Sequence, residues 1–146
     1  MEKIQDILNK YPKGREYILS ILQELQSVSP QNHISEEVMQ IVAEYLNVTQ
    51  SAVYGVAEYY SMLSVKPRKK NIVRVCNSLI CNNAGSEKVI KKLADYAETD
   101  KLKDVSIEKC ECLGLCNKAP SILFNDIPLV DINEDNVIKK INSVKK

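Results

Sequence analysis

Cys76, Cys81, Cys112 and Cys116 fall into two short clusters, C-x4-C and C-x3-C, about thirty residues apart. Thiolates are soft donors, and four of them in this layout suit a soft-metal centre, an iron–sulfur cluster above all. A [2Fe–2S] core held by four thiolates carries a charge of about −2 oxidised and about −3 reduced, so it needs N–H donors and loops that can wrap around it. Short or flexible residues stand where such loops require them: Asn77, Ser78, Asn82, Asn83 and Gly85 in the first, Gly114 in the second. Spacing alone leaves other chemistries open. A structural zinc site is one, although its knuckles favour closer pairs such as C-x2-C. A redox-active dithiol is another, although neither pair has the C-x-x-C form.

Cys110 is the fifth cysteine, two residues before Cys112. In an extended strand both would face one side, so Cys110 could substitute as a ligand. A buried strand thiol, acting as a small apolar residue, is the expected role.

The remaining residues offer little further chemistry. His33 is the sole histidine and is expected to be a solvated loop residue. No G-x-G-x-x-G or P-loop run is present, so NAD and nucleoside triphosphates are not expected to bind by those devices. With 20 basic and 19 acidic residues, the chain has no field suited to nucleic acid or an acidic membrane surface. The N-terminal residues lack the apolar core of a signal peptide, and no run approaches membrane-spanning length. A cytoplasmic protein without direct membrane insertion is expected. Thiols are kept reduced there, so paired clusters favour metal over disulfides, and an odd cysteine count points the same way.

Two regions must position these cysteines. Residues 1–65 read as helical: Tyr17, Ile18, Ile21, Leu22 and Leu25 make one apolar stripe, and Ser35 caps a second helix carrying Val38, Ile41, Val42, Tyr45 and Leu46. Thr49 caps a third, through Val53, Val56 and Tyr60 to Met62. Such a three-helix unit is expected to have little core of its own and to pack on something else. Residues 66–70, Lys-Pro-Arg-Lys-Lys, read as a solvated linker. In residues 71–146 strands and helices alternate. Ile72, Val73 and Val75 lead into Cys76, and a helix over 86–97 sets Val89, Ile90 and Leu93 against Lys88, Lys91 and Lys92. A strand around Val105 and Ile107 leads to the second cluster. A hairpin turning at Asn125-Asp126 follows, with Pro128 restricting its second strand to an edge. A last helix carries Val137, Ile138, Ile141 and Val144, with Asn133 as N-cap. The fold class is α+β: a helical extension, then an α/β domain with a small mixed sheet.

Cys76-x4-Cys81, Gly85-Ser86 and Glu111-Cys112-Leu113-Gly114-x-Cys116-x-x-Ala119-Pro120 resemble the thioredoxin-like [2Fe–2S] ferredoxins. More narrowly they resemble the 24-kDa-type subunits of NADH:quinone oxidoreductase and of NAD-linked multi-subunit hydrogenases and formate dehydrogenases. Tyr11-Pro12, Val42–Leu46 and Val53–Met62 are similar to the helical extension of those subunits, so the resemblance spans nearly the whole chain. It implies a thioredoxin-like domain holding one [2Fe–2S] cluster on Cys76, Cys81, Cys112 and Cys116, with no catalytic residues. It also implies a larger flavoprotein partner that carries FMN, NAD(H) and a [4Fe–4S] cluster, and to which residues 1–65 attach. The chain would be a non-catalytic, one-electron-transfer component of an NAD(H)-dependent oxidoreductase: flavin takes a hydride, two electrons together, and iron–sulfur centres take them singly. Tyr59-Tyr60 stands where the family usually has Phe-Tyr, the stretch over 95–105 is shorter than is common, and Cys110 is an extra thiol. These departures lean towards a soluble, fermentative complex, such as a hydrogenase that could bifurcate electrons, rather than a standard respiratory one. The rival expectations are a zinc-stabilised interaction module and a free-standing ferredoxin shuttle.

Overall fold

The computed structural model describes residues 2–98 and 102–145; the shortened stretch over 95–105 includes residues 99–101, which lie outside them. The chain divides into two compact units, Met1–Arg68 and Lys69–Lys146.

In the first unit, α1 (Glu2–Leu8), α2 (Ile18–Val28), α3 (Glu36–Leu46) and α4 (Gln50–Tyr59) are joined by short turns, one of them a 3-10 turn at Arg15–Tyr17. The boundaries follow local chemistry. Ser35 Oγ accepts from Val38 N–H at 3.3 Å, and Glu36 and Glu37 sit at the positive end of α3. Asn47, with φ 53°, ends α3 in the left-handed conformation that asparagine tolerates. Thr49 Oγ1 caps α4 through Ala52 N–H at 3.3 Å. The expected stripe of α2 is buried at Ile18, Ile21, Leu22 and Leu25. On α3 the buried positions are Met39, Val42, Ala43 and Leu46, while Val38, Ile41 and Tyr45 are only half-buried.

Two expectations need correction here. Helix α1 adds Ile7 and Leu8 to the interior, so this unit has a core of its own, closed by Ile34 and Leu63. Residues 66–70 are more than a solvated linker. The Arg68 guanidinium donates to the Met62 and Leu63 carbonyls at 3.2 and 2.9 Å, and its N–H donates to Gln31 O.

The second unit is a four-stranded mixed sheet in the order β2-β1-β3-β4. Strand β1 (Asn71–Cys76) runs parallel to β2 (Val105–Cys110) and antiparallel to β3 (Ile122–Phe124), which pairs antiparallel with β4 (Ile127–Leu129). Parallel β1 and β2 need a crossover, supplied by the short helix α5 (Leu79–Asn83) and by α6 (Ser86–Ala97). α6 buries Val89 and Leu93 and leaves Lys88, Lys91 and Lys92 in solvent. The hairpin turns at Asn125, φ 53°, whose side chain accepts from Ile72 N–H at 2.9 Å and donates to Asn71 Oδ1 at 3.1 Å. Pro128 lies on the edge strand, where no ladder donor is lost. α7 (Val137–Val144) packs Val137 and Ile141 into the same core as Val73, Val75 and Phe124. It starts one turn later than Asn133 as N-cap would place it. Asn133 Oδ1 instead accepts from the Asp135 and Asn136 amides in a turn ahead of the helix. Among the described residues, no helix is long and apolar enough to cross a membrane.

Leu93 is fully buried, so Leu93→Ala should cost about 2–5 kcal/mol in urea unfolding, whereas loss of the α3 cap in Ser35→Ala should cost about 1 kcal/mol. Equal midpoints for the two variants would contradict this assignment of the core.

Candidate metal centre

Cys76 is the last residue of β1, and Cys110 the last of β2, directly across the parallel ladder from it. Both strands therefore deliver their chains to the same end of the sheet. Beyond Cys76, Ser78 opens α5, and that single turn of helix carries Cys81 inward. Cys76 and Cys81 are each 1% exposed, and the Cys81 thiol acts to lower the Cys76 pKa. Beyond Cys110 the chain turns at exposed Cys112, passes Gly114 at φ 75°, and enters a 3-10 turn at Cys116–Lys118. Cys112 Sγ and Cys116 Sγ lie 3.5 Å apart. Among the described residues, no three His, Cys, Asp or Glu side chains close on a single-ion site. The sulfurs come instead as two pairs, one buried and one at the surface.

The two loops meet at Cys76. Burial acts to raise its thiol pKa, but the amides of Ser78 and Leu113, the Cys81 thiol and the Ser78 hydroxyl outweigh burial and hold it below the ordinary thiol range. Leu113 belongs to the second cluster, so its amide favours the Cys76 thiolate across the two segments. The charges of Cys81 and Cys76 are felt in turn at Cys116, whose pKa is raised mainly by its hydrogen bond with Cys112. Gly114 N–H donates to Cys112 Sγ at 3.4 Å, and the Ser121 hydroxyl lies 3.7 Å from Cys81 Sγ. Two shielded polar atoms in the surrounding segments, Asn77 Oδ1 and Ser86 Oγ, have no hydrogen-bond partner in the protein. Soft sulfurs in two pairs, with backbone N–H groups or a hydroxyl beside three of them, fit a dinuclear iron–sulfur group.

Cys110 is half-buried, and burial is the main cause that pushes its pKa up to about 11. It does not share an extended strand with Cys112, which lies in the turn after β2. His33 lies in the first unit and is half-buried rather than solvated, with a shielded Nδ1 that has no partner. Residues 78–83 have the composition of a loop yet fold as a turn of helix. Ser78, a good N-cap type ahead of an apolar pair, is the local signal for α5. Ser121 and the Leu113 amide carry no such signal, because only the register of β3 and the path of the second loop bring them to sulfur. Leu79, 76% exposed, and Ile80, 52% exposed, form an apolar rim beside Cys81.

The family model described as thioredoxin-like [2Fe–2S] ferredoxin matches residues 4–145. An NADH-quinone oxidoreductase subunit of Rickettsia typhi is 34% identical over 148 residues, covering 94% of this chain and 84% of that one. The corresponding NADH-quinone oxidoreductase subunit of Aquifex aeolicus is 31% identical over 132 residues, covering 85% and 79%. The mitochondrial NADH dehydrogenase [ubiquinone] flavoprotein 2 of Dictyostelium discoideum is 30% identical over 149 residues, covering 98% and 60%. Among solved structures, an air-oxidised NAD+-reducing [NiFe]-hydrogenase superposes with a TM-score of 0.69 at 15% identity, over 92% of this chain and 24% of that chain. At that identity the superposition speaks to fold, and this chain spans about a quarter of the hydrogenase chain.

In the metal-free chain, iodoacetamide should label exposed Cys112 first, and half-buried Cys110 with its raised pKa well after it. Peptide mass spectrometry that found Cys110 labelled ahead of Cys112 would contradict the geometry described here.

Proposed function

The chain belongs to the thioredoxin-like [2Fe–2S] ferredoxin family, and on that premise we propose that it is the one-electron-transfer component of a multi-subunit NAD(H)-dependent oxidoreductase. Family membership implies one [2Fe–2S] cluster, which accepts and releases single electrons. We assign its ligands to Cys76, Cys81, Cys112 and Cys116. The observation that carries this assignment is geometric: parallel β1 and β2 deliver both cysteine segments to one end of the sheet, with Cys76 and Cys81 buried there and the Cys112 and Cys116 sulfurs 3.5 Å apart. Each pair would supply two sulfurs to the group. Buried Cys76 and Cys81 would hold the inner iron, and Cys112 and Cys116 the iron nearer solvent. The amides of Ser78, Leu113 and Gly114 then oppose the negative charge of the sulfurs.

Nothing in this donor set performs proton transfer, so hydride chemistry belongs to a partner. The relatives' names, as components of NADH-quinone oxidoreductases and as flavoprotein 2 of a mitochondrial NADH dehydrogenase, support a larger flavoprotein partner that carries FMN and NAD(H). The exposed Leu79 and Ile80 beside Cys81 offer apolar surface of the kind found at such interfaces. Residues 1–65 are proposed to attach the chain to that partner, a role a free shuttle would not need. The finer proposal, a soluble hydrogenase-type or other fermentative complex rather than a respiratory one, rests on Tyr59-Tyr60, the shorter stretch over 95–105 and the extra Cys110. Purification from the native source would test it by the activity of the large subunits that come with this chain.

Anaerobically reconstituted protein should hold about two irons and two sulfides per chain and give an EPR signal on reduction by dithionite. Cys112→Ser should abolish or destabilise the centre and Cys110→Ser should leave it intact. One tightly bound zinc without sulfide would replace this account with a zinc-stabilised interaction module. Loss of the cluster in Cys110→Ser but not in Cys112→Ser would overturn the ligand assignment.

A further inference from the structure

Ser121 touches both members of the buried thiol pair. It follows Pro120, stands immediately before β3, and is 1% exposed. Its carbonyl accepts the Cys76 N–H at 3.2 Å, and its hydroxyl lies 3.7 Å from Cys81 Sγ. Between a thiol and a hydroxyl either atom can be the donor. Once Cys81 is a metal-bound thiolate that ambiguity ends, because the sulfur has no proton left and the serine O–H must donate. The contact is sealed from water, so solvent does not offer a competing partner of equal strength.

An O–H aimed at a sulfur stabilises negative charge there, and it stabilises the more negative, reduced form more than the oxidised one. Resting on the assignment of Cys81 as a cluster ligand, we propose that Ser121 is a positioning residue that acts through Cys81 to raise the reduction potential of the centre. The main-chain bond to Cys76 holds the residue in place, and the side chain does the tuning. The two roles separate on mutation, because removing the hydroxyl leaves the carbonyl bond intact. In the surface pair, Cys112 accepts from the Gly114 N–H at 3.4 Å and lies 3.5 Å from Cys116 Sγ, and among the described residues no hydroxyl is hydrogen-bonded to either sulfur. Ser121 would therefore act on the side of the centre held by Cys76 and Cys81.

The test is an EPR-monitored redox titration of the full chain with its reconstituted cluster, as wild type, Ser121→Ala, Ser121→Thr and Ser121→Val. Thr and Val match in shape and differ by the hydroxyl. Iron and sulfide content should be equal throughout. The equilibrium constant for one-electron reduction should fall roughly tenfold in the Ala and Val variants, a shift of about 59 mV to more negative potential. Thr should titrate close to wild type. Fully loaded Ala and Val variants with wild-type midpoints would overturn the proposal while leaving the electron-transfer reading intact. Failure of both to load iron while Thr loads normally would also overturn it, by assigning Ser121 to cluster assembly. A wild-type chain that holds no iron or sulfide would instead remove the function on which the proposal rests.

Discussion

Strand β1 is hydrogen-bonded along both edges, parallel to β2 and antiparallel to β3, and that double pairing decides where the thiols meet. The parallel partner brings Cys110 level with Cys76 at one end of the sheet, so the chain leaving β2 must turn over the chain leaving β1. The antiparallel partner brings Ser121 back to the same end from the opposite direction. A slip of one residue in either ladder would reverse the faces of every side chain in the strand. Val73 and Val75 would leave the core, and the sulfur of Cys76 would turn away from its partners.

The devices that hold this register are local and polar. Asn125, in the left-handed conformation at the hairpin, ties the turn to Asn71 and Ile72 at the start of β1. At the other end the Ser121 carbonyl and the Cys110 carbonyl take the N–H groups of Cys76 and Asn77. The sheet is thus pinned at the turn and at the sulfur end, with the apolar body of Val75, Ile122, Phe124 and Leu93 between. Burial supplies the stability, about 1.5–3 kcal/mol for each large side chain. The hydrogen bonds select one alignment among those that burial would accept.

Electrostatics at the site divides along the same line. The buried pair sits under amides and hydroxyls that favour a thiolate at Cys76 despite burial. Cys110, only across the ladder, has burial and neighbouring sulfurs against ionisation, and its pKa rises to about 11. At Cys76 the neighbouring amides and hydroxyl outweigh burial, whereas at Cys110 burial dominates.

The donor chemistry, the α+β class and the elements with strong apolar spacing were legible in the order of residues: α2, α6, the strand into Cys76 and the hairpin at Asn125-Asp126. These depend on neighbours a few residues away, and period and capping residues report them directly. The first unit was understated, because α1 is short and its value lies in Ile7 and Leu8 reaching a core formed by distant helices. Helix α5 was missed, a single turn whose one signal is Ser78. Long-range packing settled the rest: Cys76 and Cys81 are buried while Cys112 is exposed and Cys116 half-buried, the Leu113 amide acts on Cys76, and the Ser121 hydroxyl lies against Cys81. The last two contacts span roughly forty residues and follow from strand register, which no local pattern encodes.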